Sequence, residues 1–185
     1  ANKFQILDFN NIEIVNKSYD DIYSNHLHKI DDELTINLKG YSNKENQKLS
    51  KIVDEIRSIN QNMIIYTKSP TATQNKANEI IKYSIKLNKG ISQELNELII
   101  HLKNRFQFTD WSVINGLENK IAIHHGLIPK YIQKEIVKLF NNGDIDILIS
   151  TTTITEGVNT SAKNLIVTSS RKGRKPLKTF DAKNI

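Results

Sequence analysis

The residues with the greatest capacity for chemistry lie between two apolar runs. Residues 145–149 are followed by Ser150, Thr151, Thr152, Thr153, Ile154, Thr155, Glu156, Gly157, Val158 and Asn159, and a second apolar run, 165–167, closes the stretch. Hydroxyls at this density serve no core. They are hydrogen-bonding groups, and a glycine among them lets a ligand approach the backbone. Two further clusters share this character. Thr67-Lys68-Ser69 follows the apolar run 63–66, and His124-His125-Gly126 follows the run 121–123. Hydroxyls and backbone N–H groups at helix starts both donate to phosphate oxygens, and Lys68 adds a point charge. Several such loops along one edge would track a nucleic-acid backbone without reading its sequence.

Other chemistries fit the residues less well. Ser150 has no G-x-S-x-G context for a nucleophile. The histidine pair, with His26, His28 and His101 as further candidates, could bind a metal, but it lacks H-E-x-x-H spacing and a carboxylate close in sequence. One histidine of the pair is expected beneath the sheet edge and the other in the groove. Asp31-Asp32-Glu33 reads as a solvated turn, because no phosphate-binding loop precedes it. No G-x-x-x-x-G-K-[ST] segment occurs, so the chain by itself cannot hold a nucleoside triphosphate in the P-loop manner. The absence of cysteine excludes disulfides, thiolate metal sites and thiol nucleophiles.

The positioning elements follow from hydrophobic periodicity. Leu49, Ile52, Val53, Ile56 and Ile59 predict an amphipathic helix over 44–60. A strand at 63–66 and a turn at 67–70 lead to a helix over 74–87, capped by Thr71 or Thr73, with Ala77, Ile80 and Ile81 inward. Ser92 caps another helix with Leu95, Leu98, Ile99, Leu102 and Phe106 inward, and Trp111 is a core anchor in the less regular stretch that follows. A strand at 121–123 precedes a helix opened by Pro129, with Ile132, Ile136, Leu139 and Phe140 inward and a stop at Asn141-Asn142-Gly143. Weaker strands are expected around Ile14 and Ile36. Strands that are apolar without alternation, separated by helices, predict a parallel sheet covered on both faces. In such sheets the site lies at the carboxyl ends of the strands, where all three polar clusters fall.

The length of 185 residues suits one globular domain, and 38% hydrophobic with 25% charged residues permits a core. The net charge of +6 allows an anionic partner without requiring one. No apolar run approaches the roughly 20 residues of a membrane helix, no leader is visible, and a cytoplasmic location is expected. A start without methionine points to a piece of a longer protein.

The segment I-A-I-H-H-G-L-I-P-K-Y-I-Q-K-E-I-V-K-L-F-N-N-G-D-I-D-I-L-I-S-T-T-T-I-T-E-G-V-N-T-S-A-K-N-L-I-V resembles the second RecA-like domain of superfamily 2 helicases, and among them the superkiller-like group beside the DEAD-box group. The match covers 121–167 closely and reaches back loosely to Met63. The resemblance implies an α/β, RecA-like three-layer sandwich with a mainly parallel sheet, over 41–185, with 1–40 as an interdomain linker and the first strands. It implies nucleic-acid contacts at Thr67, Lys68, Ser69, His125, Gly126, Thr151 and Thr152, with Thr151 on a phosphate. Glu156, Gly157 and Asn159 would face a nucleotide. The family's ATP and magnesium sit between this domain and an N-terminal RecA-like domain that carries the phosphate loop. Single-stranded RNA or DNA is the implied partner, with no membrane. The family's arginine motif would begin about where this chain ends, and Arg171 and Arg174 in R-K-G-R-K-P do not match it. The chain alone is therefore expected to lack ATPase activity. A non-catalytic nucleic-acid or partner-binding domain on the same scaffold is the alternative, and an unrelated domain for a small phosphorylated ligand is a third.

Overall fold

The computed structural model describes residues 3–8, 13–18, 27–29, 32, 34–38, 40–41, 45–85, 90–107, 111–152, 160–169, 171–172 and 174–176. The chain divides into two compact units, Ala1–Ile59 and Asn60–Ile185.

In the first unit, β1 (Lys3–Asp8) pairs antiparallel with β2 (Glu13–Ser18), and β3 (Leu27–Lys29) with β4 (Thr35–Asn37). Ile36 is buried between exposed Thr35 and Asn37, the alternation of a half-buried strand. Asp32 is exposed, and its neighbours Asp31 and Glu33 lie outside the described residues. Helix α1 (Glu45–Ser58) buries Leu49, Val53 and Ile56, as their spacing predicts, and packs on β4. The sequence reading drew a boundary at residue 40. Helix α1 falls in the first unit, and Gly40, at φ +83, lies in the turn between β4 and α1.

The second unit is built on β5 (Met63–Tyr66), α2 (Pro70–Tyr83), α3 (Gln93–Phe106), α4 (Ser112–Leu117), β6 (Ile121–His124), α5 (Lys130–Asn142), β7 (Ile147–Ser150) and β8 (Asn164–Val167). Its sheet runs β6-β7-β5-β8, and every pairing is parallel. The step from β5 to β6 moves two places one way. The step from β6 to β7 moves one place back. Right-handed crossovers in opposite directions put their helices on opposite faces. Accordingly α2 and α4 rest against β6 on one face, and α5 covers the other. This is the three-layer α/β architecture expected, and it explains why every residue of β5, β6 and β7 is buried. Strand β8, at the edge of the described sheet like β6, is only half-buried.

Local chemistry sets the helix ends. Ser69, not Thr71 or Thr73, caps α2 by accepting from the Ala72 N–H at 3.3 Å, with Pro70 in the first turn. That pair starts the helix a turn earlier than its apolar spacing implies, and it ends at Tyr83. Ser92 caps α3 through the Leu95 N–H at 3.2 Å, as expected. Gly143 closes α5 at φ +85. Val113, Ile114 and Leu117 of α4 are fully buried. Gly116 in the same helix approaches the next strand so closely that an added Cβ would lie 2.5 Å from the Ile121 carbonyl oxygen. Trp111 is half-buried on Phe106, ring centroids 5.1 Å apart.

At the amino end of the sheet an amide cluster ties β8 to β5 and α5. Asn62 Oδ1 accepts from the Lys163 N–H at 2.9 Å. Asn164 Nδ2 donates to Gln61 Oε1 at 2.7 Å and to the Asn62 carbonyl at 3.2 Å. The Ser161 N–H donates to Asn141 Oδ1 at 2.8 Å. Further along, β9 (Arg171–Lys172) and β10 (Lys175–Pro176) pair antiparallel, and the Tyr66 hydroxyl donates to the Arg171 carbonyl at 2.9 Å.

Candidate nucleic-acid interface

The register brings the strand ends level. His124, Ser150, Tyr66 and Val167 are mutual neighbours across β6, β7, β5 and β8. Pairing continues one residue further. The Thr151 N–H donates to the His124 carbonyl at 3.3 Å, the Thr67 N–H to Ser150 at 2.8 Å and the Thr168 N–H to Tyr66 at 3.1 Å. His125, Thr151, Thr67 and Thr168 therefore form the carboxyl rim of the sheet. Three strand spacings give this rim a length of about 14 Å. The three clusters singled out in the sequence do meet on one edge, and Thr168 joins them from a strand end that sequence reading did not single out.

The rim residues differ in what they leave open. Lys68 is exposed at the turn after β5. Thr67 is 1% exposed, and its hydroxyl donates inward to the Ser150 carbonyl at 3.4 Å and the Ser69 carbonyl at 3.5 Å. The Ser69 hydroxyl is engaged in the α2 cap. The Thr67 hydroxyl thus donates within the turn that presents Lys68, while the Ser69 oxygen accepts in the cap and its O–H is not used by it. Thr151 and Thr152 are buried at the end of β7, and Gly126 is exposed. Glu156, Gly157 and Asn159 lie outside the described residues.

Both histidines are buried, not one. The expectation that one faces the groove fails because each is held within the sheet edge. His124, 2% exposed, meets Ser150 Oγ through Nδ1 at 3.3 Å. Ser150 Oγ donates to the Thr151 carbonyl at 2.8 Å, so in this pair Nδ1 is the donor. Burial, with Lys130 nearby, pushes the His124 pKa down to about 4, so the ring is neutral at pH 7. His125, 4% exposed, accepts from the Leu127 N–H at Nδ1, 3.3 Å away, which leaves the proton on Nε2. Burial lowers its pKa also. Its Nε2–H has no partner among the described residues, an unusual state for a buried donor.

Sequence reading missed the residue that shapes this turn. Gln133 is buried on the inner side of α5, and its Nε2 donates to the His125 carbonyl at 3.2 Å and the Ile128 carbonyl at 2.5 Å. A glutamine beside Ile132 and three residues before Ile136 was the available signal, since a polar residue on an apolar stripe needs buried partners. Neither α2 nor α5 has an acidic residue in its first turn. Both helices begin just beyond the rim, so their positive ends face it without a neutralising carboxylate. Among the described residues no group of three or more histidine, aspartate or glutamate side chains could hold a metal ion.

A parallel RecA-like sheet with these strand ends has a counterpart among known families. Residues 86–176 match the helicase conserved C-terminal domain. The matched span contains β6, α5, β7 and β8, hence His125, Gly126, Thr151 and Thr152, while β5 and Lys68 precede it. The chain is also 36% identical over 122 residues to anti-bacteriophage protein B of Escherichia coli K12. That alignment takes in 66% of this chain and 16% of the relative, so the chain spans about a sixth of that protein. No helix among the described residues is long and apolar enough to cross a membrane.

Proposed function

We propose that this chain forms one wall of the nucleic-acid groove of an ATP-dependent helicase in the superkiller-like branch of superfamily 2. The reading is carried by the level rim of strand ends, with the buried His125 Nε2–H unpartnered and Lys68 exposed beside it. A single strand of RNA or DNA is held by its phosphates. Lys68 supplies a point charge, and Gly126, Thr151 and Thr152 backbone or hydroxyl donors, with the neutral His125 buried beneath them. Thr67 and Ser69 act from beneath by fixing the turn that carries Lys68. Such contacts favour no base sequence. ATP and magnesium belong mainly to an N-terminal RecA-like domain of a longer protein. Glu156, Gly157 and Asn159 are this chain's share of the nucleotide site.

The direct experiment is fluorescence anisotropy of a labelled single strand titrated with the 185-residue chain at rising salt. Weak, salt-sensitive binding without ATP turnover is expected. Binding that ignores salt, or turnover of ATP by the chain alone, would refute the reading. The name of the E. coli relative supports a setting in defence against phage for the longer protein. Cells carrying Thr151→Ala in that protein should then lose plaque protection. Undiminished protection would remove Thr151 from the mechanism.

A further inference from the structure

Beyond β6 the rim runs into a surface of different character. Leu127, 80% exposed, stands in the turn after Gly126, and Tyr131, 50% exposed, in the first turn of α5. The Tyr131 ring meets the imidazole of His101, on α3, at 84° with centroids 6.0 Å apart. A perpendicular neighbour of this kind sets the orientation of a ring while leaving part of it uncovered. Lys130 and Lys134 are exposed on the same end of α5, and neither forms an ion pair among the described residues.

Single exposed apolar side chains are ordinary on a protein surface. This group is distinguished by its composition and its position. It combines an oriented aromatic ring, an aliphatic neighbour and two unengaged ammonium groups. It also follows His125 at the end of β6, where a strand tracking Thr67, Thr151 and His125 would leave the sheet, since β6 is the last strand on that side among the described residues. The positive charge favours an anionic occupant over an acid-free apolar one, and a nucleobase offers a π-face beside a phosphate. Stacking of a base on an aromatic ring is indifferent to sequence, so it matches a rim that offers only backbone donors.

We propose that Tyr131, backed by His101 and flanked by Leu127, is a base-stacking platform for the single strand whose phosphates follow the rim. This rests on the nucleic-acid reading above. The platform takes the unpaired base at the end of the rim, and Lys130 and Lys134 hold its phosphates.

The test compares two labelled strands of equal length by anisotropy, one with bases and one made of abasic residues. Both carry the same phosphates. Tyr131→Ala in the 185-residue chain should weaken binding to the base-bearing strand about tenfold and leave the abasic strand unaffected. Tyr131→Phe should restore the difference. Lys68→Ala should weaken both strands alike. The platform is overturned if Tyr131→Ala changes neither strand while Lys68→Ala weakens both, or if Tyr131→Ala weakens both equally. If the unaltered chain binds neither strand, the nucleic-acid reading itself falls, and the platform with it.

Discussion

Acid should unfold the second unit earlier than its carboxylates alone require, and His124 is the reason. Its pKa is pushed down to about 4 by burial first, then by the charge of Lys130, with a smaller effect of His125. In the unfolded chain the same ring titrates near its ordinary value of roughly 6.5. The unfolded state therefore binds the proton first as pH falls. Stability from the neutral buried ring is complete above roughly pH 6.5 and is lost progressively down to about pH 4. Between pH 7.5 and 5 an unfolded histidine gains about 2 kcal/mol from protonation, whereas His124 gains less than about 0.1 kcal/mol. The second unit should lose about 2 kcal/mol over that interval through this one group. Trp111 is the one tryptophan of the chain and lies in the second unit, so its fluorescence in urea reports that unit directly. His124→Phe keeps a ring in the slot and removes the proton site, and Ser150 still donates to the Thr151 carbonyl. The variant should lose the share of the pH slope between 7.5 and 5 that belongs to His124, about 2 kcal/mol, while the share of His125, whose pKa burial also lowers, remains. An unchanged slope would refute the assignment of the acid sensitivity to His124.

Three further outcomes follow from the packing and the rim. Gly116→Ala should destabilise by about 2 kcal/mol or more, although alanine is ordinarily the better helix former, because the new Cβ meets the Ile121 carbonyl oxygen; a higher urea midpoint would contradict the close approach. Ser69→Ala should cost about 1 kcal/mol of stability through the lost α2 cap, measured by thermal melting; no loss would leave the cap without an energetic role. Lys68→Ala should lower the slope of log affinity against log salt by about 0.7 for a single strand, and an unaltered slope would exclude Lys68 from the phosphate contacts.

Much of the second unit was legible because its signals are local. Pro129, the four inward positions of α5 and Gly143 state a helix without help from elsewhere. The uninterrupted apolar runs of β5, β6 and β7 state a sheet covered on both faces. The meeting of Lys68, His125 and Thr151 followed from the rule that parallel strands share a carboxyl edge. What escaped was set by partners distant in sequence. Ser150 and His124 are 26 residues apart, and neither residue type announces that its hydrogen bond is internal. Thr67 looked available because threonine ends many strands with its hydroxyl outward; here the Ser150 carbonyl on the neighbouring strand takes it. Gln133 resembled a solvent-facing residue until the carbonyls of His125 and Ile128 gave it an inner role. In the first unit, β1 was not singled out although it carries Phe4, Ile6 and Leu7, whereas its partner β2 was expected around Ile14.

The two ends of the sheet differ in how they meet their surroundings. The carboxyl rim carries Lys68 and two buried histidines, so ionic strength and acid both act on it. The amino end is joined by Asn62, Asn141, Asn164, Gln61 and Ser161, whose groups are neutral at every pH a protein survives. That cluster holds the chain where it enters β8, while the Thr151 N–H holds it where it leaves β7. The chain therefore leaves β7 at the end that senses the medium and enters β8 at the end that does not.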